Sequence, residues 1–93
     1  MAVNGFVLIT VKSGKELDVQ KVLSEINELS ERYTIHKEYD FLVIASAVDS
    51  VSLEQFVMDV IKPIPGITEI KTIFGIDVGS AAKLRNLKPV RKL

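Results

Sequence analysis

Cysteine is absent from the 93 residues, which excludes disulfide staples, thiolate metal sites and cysteine nucleophiles and leaves packing alone to hold the fold. With no cysteine, histidine occurs only once, too few ligands for an all-protein transition-metal site. No metal and no cofactor is expected. The chain has no stretch of about eighteen consecutive apolar residues for a membrane span. Its start, Met1 to Thr10, lacks the basic region and small-residue cleavage site of a secretory leader. The expected compartment is the cytoplasm, with no membrane partner. Nor is there an excess of either charge, since twelve basic residues balance twelve acidic ones, which argues against a domain-wide phosphate-binding surface.

What is present is apolar material. A 47% hydrophobic and 26% charged composition over this length supplies one core and one domain. The charge is unevenly placed. Residues 1–79 hold seven Lys/Arg against twelve Asp/Glu, a formal −5, whereas 80–93 hold Lys83, Arg85, Lys88, Arg91 and Lys92 with no acid. The division expected is a domain over 1–79 and a basic tail over 80–93 that docks on something acidic, either this protein's own body or a neighbour.

Phe6 to Val11, bounded by Asn4-Gly5 and Ser13-Gly14, is a short β-branched apolar run that predicts a buried strand. Ser13-Gly14-Lys15-Glu16 fits a capping box, so a helix is expected from Ser13. Val19, Val22, Leu23, Ile26 and Leu29 carry its apolar stripe to an end near Leu29 to Glu31. Tyr33–His36 and Phe41–Ala45 predict two strands joined by Lys37-Glu38-Tyr39-Asp40 as a hairpin. Asp49 and Ser50 open a second helix whose stripe is Leu53, Phe56, Val57, Val60 and Ile61, stopped by Pro63. Pro63-Ile64-Pro65-Gly66 makes a turn, and Ile67 to Ile76 alternates as a fourth strand. The order βαββαβ is that of an α+β, ferredoxin-like sandwich: a four-stranded antiparallel sheet with both helices on one face.

In such a sheet only one face is covered, so the central strands of a monomer should alternate apolar and polar residues. They do not. Phe6 and Leu8 oppose Val7 and Ile9, and Phe41 and Val43 oppose Leu42 and Ile44, leaving both faces apolar. A bare patch of several hundred Å² is unusual on a soluble monomer, which predicts a homodimer, sheet against sheet, built on these eight residues. The other cover available is the tail, folded back through Leu84, Leu87 and Val90.

The hairpin Ile35-His36-Lys37-Glu38-Tyr39-Asp40-Phe41-Leu42, the capped helix after it, and Ile64-Pro65-Gly66-Ile67 leading to Thr72 together resemble the effector-binding half of Lrp/AsnC transcription regulators, the RAM domain. The resemblance covers roughly residues 4 to 76. Members usually carry a helix-turn-helix on the N-terminal side, and Met1 stands only a few residues before the first strand, so a stand-alone form without direct DNA binding is expected. The resemblance implies dimers paired through their sheets, assembly into tetramers or octamers, mixed assembly with full-length Lrp/AsnC relatives, and an amino acid effector held between dimers. By position it implies Tyr39 and Asp40 of the hairpin and Thr72 of the fourth strand as ligand contacts. The family hairpin usually has glycine three residues before its aspartate, where this chain has Lys37. Lysine there adds bulk that fills the pocket or a cation suited to a carboxylate.

Each of these residues also has a structural reading: Asp40 as a turn residue bonding backbone amides, Tyr39 as a cross-strand packing residue, Thr72 as a strand former. His36 is the one side chain whose ordinary pKa suits acid-base chemistry near neutrality, and it has no triad, phosphate-loop or metal motif beside it. Three functional classes follow. The first is a regulatory effector-binding module that performs no chemistry. The second is an RNA-binding domain of the same βαββαβ order, for which Asp40-Phe41-Leu42-Val43-Ile44 lacks the stacking aromatics. The third is a small dimeric α+β barrel enzyme using His36.

Overall fold

In a computed structural model, which describes residues 3–35 and 38–76, the first strand, β1 (Val3–Val11), occupies the middle of the sheet. It is followed by α1 (Glu16–Ser24), β2 (Leu29–Thr34), β3 (Phe41–Ala47), α2 (Ser50–Phe56) running into a π-helical turn (Val57–Ile61), and β4 (Ile67–Ile76). The sheet order is β2-β3-β1-β4 and all neighbours are antiparallel, the ferredoxin-like arrangement expected from the element order. His36, Lys37 and the tail 80–93 lie outside the described residues, as does the proposed domain boundary at 79. No helix among the described residues is long and apolar enough to cross a membrane.

Burial along β1 alternates strictly from Gly5 to Val11, because successive side chains leave a strand on opposite faces. Val7, Ile9, Val11, Phe41, Val43 and Ala45 face the helices and join Val19 and Leu23 of α1 and Leu53, Val57, Ile61 and Ile64 beneath α2 in one core. Gly5 lets α2 approach: a β-carbon there would stand 2.7 Å from Leu53 Cδ2, far inside van der Waals contact.

The helix boundaries differ from those expected. α1 begins at Glu16 rather than at Ser13, with Lys15 as its N-cap residue and no side-chain cap. The Glu16 carboxylate accepts from the Gly14 N–H at 2.9 Å, so it serves the loop instead of closing a capping box with Ser13. The helix also ends at Ser24, and the next strand starts at Leu29 instead of Tyr33. Leu29 continues the helical spacing by coincidence; it is buried on the strand, paired with Ala45. The Arg32 guanidinium braces the turn after the helix, donating to the carbonyl of Leu23 at 2.7 Å and to that of Ile26, two residues past the helix end, at 2.6 Å, beside the longer backbone bonds those carbonyls accept from Ile26 and Leu29.

The second helix starts as expected. Asp49 is its N-cap, and Asp49 Oδ1 accepts from the Ser52 N–H at 2.7 Å. That bond stabilises the charged carboxylate, and the Asp49 pKa is lowered from its usual value. Past Phe56 the helix widens, with Lys62 N–H donating to the Val57 carbonyl at 2.8 Å. The buried residues Leu53, Val57 and Ile61 recur every four positions. An α-helix drifts over such a spacing, and a wider i→i+5 turn holds Val57 and Ile61 on one line. Gly66 then takes φ 102° in the turn after Pro65, a conformation glycine adopts without strain.

Candidate functional site

The hairpin aspartate is tied into the sheet. Asp40 Oδ2 accepts from the Val11 N–H at 2.7 Å, while the Asp40 N–H donates to the Ile9 carbonyl at 2.8 Å and its carbonyl accepts from Ile35 N–H at 2.9 Å. This occurs just past the end of the β1–β3 ladder at Ile9 and Phe41, so the carboxylate takes up a strand donor that β3 no longer reaches. Asp40 therefore does bond backbone, though on the neighbouring strand rather than within its own turn. Tyr39 is half-buried beside it.

Thr72 lies elsewhere. It pairs with Val7 and so shares the helix-covered side of the sheet, where it lines a groove of about 490 Å³ between α2 with its π turn and β4. Val57, Met58, Ile70 and Phe74 give that groove an apolar floor, and Glu54 and Lys62 place both signs of charge on its rim. β1 separates the strand carrying Thr72 from the strand that Asp40 leads into. One protomer thus does not bring Tyr39, Asp40 and Thr72 together. The groove residues Glu54, Met58, Lys62 and Glu69 escaped the sequence reading. The available signal was the parity of β4, which puts Ile70, Thr72 and Phe74 on the helix side once Thr72 is paired with Val7.

The structure divides the eight residues expected at a dimer interface. Val7, Ile9, Phe41 and Val43 are at most 5% exposed under the helices, so they belong to the protomer's own core and offer nothing to a second copy. Reading both strand faces as apolar was right, but one face is already covered. Phe6, Leu8, Leu42 and Ile44 are half-buried on the other face, which no helix covers. Around them stand Glu31 and Tyr33 of β2 and Glu69, Lys71 and Ile73 of β4 by strand parity. Tyr33 and Ile73 are each 48% exposed. The Tyr33 hydroxyl donates to Glu31 Oε1, and that hydrogen bond and the neighbouring negative charge raise the Tyr33 pKa. Thr10 Oγ1, also of this face by parity, is buried with no hydrogen-bond partner among the described residues. Among those residues no cluster of three His, Cys, Asp or Glu could hold a metal.

The family model for the Lrp/AsnC ligand binding domain matches residues 4–78. A stretch of 68 residues, 73% of the chain, is 37% identical to the HTH-type transcriptional regulator FL11 of Pyrococcus abyssi, of which it spans 44%. The solved structure of FFRP-DM1 superposes with a TM-score of 0.73 at 31% identity, covering 80% of this chain and 99% of that one. A transcriptional regulator from Neisseria meningitidis, solved as an L-Met complex, superposes with a TM-score of 0.69 at 18% identity, covering 82% of this chain and 51% of that one, a likeness of fold alone.

Proposed function

Because the chain belongs to the Lrp/AsnC ligand-binding domain family, we propose that it is a regulatory module. On this reading it pairs through its open sheet face, binds an amino acid or similarly small effector where copies meet, and passes that state to family partners by mixed assembly. The observation that carries the reading is the open face itself. In a domain of this family, Phe6, Leu8, Leu42 and Ile44 form an apolar centre that nothing among the described residues covers.

The placement of the site residues supports a ligand held between copies. Tyr39 and Asp40 lie on one side of β1 and Thr72 on the other, so an effector touching both sets takes them from two protomers. The Neisseria relative's L-Met favours an amino acid as the class of effector. Lys37 stands as the cation for its carboxylate. The Pyrococcus abyssi relative is a transcriptional regulator, which favours regulation over catalysis. The RNA-binding reading gains nothing, since the open face of β3 presents Leu42 and Ile44 where base stacking needs aromatics.

Native mass spectrometry of the full chain, with and without the twenty amino acids at millimolar concentration, tests the reading. The expected result is an even oligomer that gains the mass of an amino acid. A strict monomer without ligand overturns it.

A further inference from the structure

Beyond Ile76 the chain continues into residues 77–93, which lie outside the described residues. The point from which they start is defined by the sheet. Ile76 and Ala47 both pair with Val3, so β4 ends in the row where β3 ends, three residues before α2 opens at Ser50. The groove between α2 and β4 begins two residues back at Phe74 and runs to Ile67 and Lys62. At about 3.3 Å per residue its β4 wall is about 23 Å long. Its near end is apolar and open: Met58 is 47% and Phe74 43% exposed, and Val51, also exposed, shares a helix face with Glu54 and Met58 by its spacing. From Ser46 to Ile61 the chain carries Asp49, Glu54 and Asp59 and no base.

We propose that residues 80–93 of the same chain lie along this groove, from its Phe74 end toward Lys62, with Leu84, Leu87 and Val90 against its apolar floor. Charge favours this occupant. Residues 80–93 hold five bases and no acid, whereas residues 1–79 carry a formal −5, so the tail neutralises the body it follows. The groove's own charges give a direction: Glu54 stands toward the end that the tail reaches first and the cation Lys62 at the far end. Length permits it as well. Fourteen residues span about 21 Å as a helix and more when extended, enough to follow the groove from end to end. The open face is the poorer place, because β4 presents Ile73 and Lys71 on that side by parity and a cationic tail would cross that lysine before reaching the apolar centre on β1 and β3. Burying three aliphatic side chains on Met58 and Phe74 removes apolar surface from water on both partners. The docking needs neither a second copy nor an effector, and an effector that contacts Thr72 would have to displace the tail.

The chain has two methionines, Met1 and Met58, so a 13C label on methionine methyl groups places an NMR reporter inside the groove. The comparison is between the full chain and a full-length variant carrying Leu84→Ser, Leu87→Ser and Val90→Ser, with 15N amide signals of Leu8 and Leu42 reporting on the open face. The Met58 methyl signal should move between the two while Leu8 and Leu42 stay in place. An unmoved Met58 signal overturns the proposal, and so does a change at Leu8 and Leu42 as large as that at Met58, which would put the tail on the open face or on no fixed site. Because the protein has no cysteine, a nitroxide on Lys88→Cys then identifies whose tail is docked. It should broaden the Met58 methyl signal when label and isotope share one chain. Broadening only when they sit on different chains of a mixed sample assigns the groove to a neighbour's tail and overturns docking within the chain.

Discussion

Replacing Gly5 by alanine adds one methyl group where β1 passes beneath Leu53 of α2. The new β-carbon would meet Leu53 at 2.7 Å from Cδ2, 3.1 Å from Cγ and 3.3 Å from Cδ1. Leu53 has no exposed surface and belongs to the same closed core as Val7, Val57 and Ile61, so it has no open space to swing into. Overpacking of this kind costs about 1–3 kcal/mol. Against it stands roughly 0.5–1 kcal/mol gained because alanine loses less backbone freedom than glycine in a strand. The net expectation is a loss of about 1–2 kcal/mol, seen as a melting temperature lower by roughly 4–16 °C for a domain of this size. Measurements by circular dichroism or calorimetry must hold protein concentration fixed, since association would stabilise the fold. The decisive assay is the cycle with Leu53→Ala. That variant alone should lose about 2–5 kcal/mol through the cavity it leaves. In its background the same methyl group at position 5 enters empty space, so Gly5→Ala should become neutral or stabilising. The coupling should be at least about 1 kcal/mol. Equal costs for Gly5→Ala in both backgrounds, or no cost in the wild type, would refute the reasoning that glycine is required there by the approach of α2.

Asp40→Ala removes the acceptor of the Val11 N–H and should destabilise by about 1–2 kcal/mol, while Asp40→Asn, which keeps a carbonyl acceptor, should lose less than half of that; equal losses in chemical denaturation would mean that the bond to Val11 contributes nothing. Arg32→Ala strips two donors from the carbonyls of Leu23 and Ile26 around the end of α1 and should cost about 1–2 kcal/mol, with Arg32→Lys recovering only part because lysine lacks the planar fork; a fully restored lysine variant counts against the brace. Asp49 has a lowered pKa, so its contribution is present above the unfolded carboxylate value and lost as pH falls through the lower folded value. Asp49→Asn should therefore flatten the acid limb of a stability–pH curve and leave the neutral-to-alkaline part parallel to wild type. Tyr33 shows the opposite sign: with its pKa raised, the contribution is present below the ordinary tyrosine value and lost as pH rises through the folded one, a dependence that Tyr33→Phe should abolish.

Element order was readable because each strand and helix carries its own period and its own stop: Pro63 and Gly66 after the second helix, Asn4-Gly5 and Ser13-Gly14 around the first strand. The failures lie where local pattern and tertiary context disagree. Leu29 fits the helical stripe as well as it fits a strand, and what decides is Arg32, eight residues past Ser24, binding back to the helix end. Ser13 and Glu16 have the spacing of a capping box, yet the glutamate finds a nearer N–H at Gly14. The interface expectation included four core residues because alternation alone does not say which face the helices take. Tyr39, Asp40 and Thr72 were marked by resemblance, whereas their separation across β1 is a property of strand order that no local pattern contains.

The π-helical turn at Val57–Ile61 holds one residue more than an α-turn would. That surplus makes it a place among the described helices where the chain can lose a residue and keep helical geometry. Deleting one residue from this turn would let it relax to ordinary α-helix while Leu53 upstream and the Pro63–Gly66 turn downstream stay anchored. The same deletion in α1 or β1 would rotate or invert every side chain beyond it. Because this turn also walls the groove that Thr72 lines, such a deletion would reshape that space without disturbing the sheet.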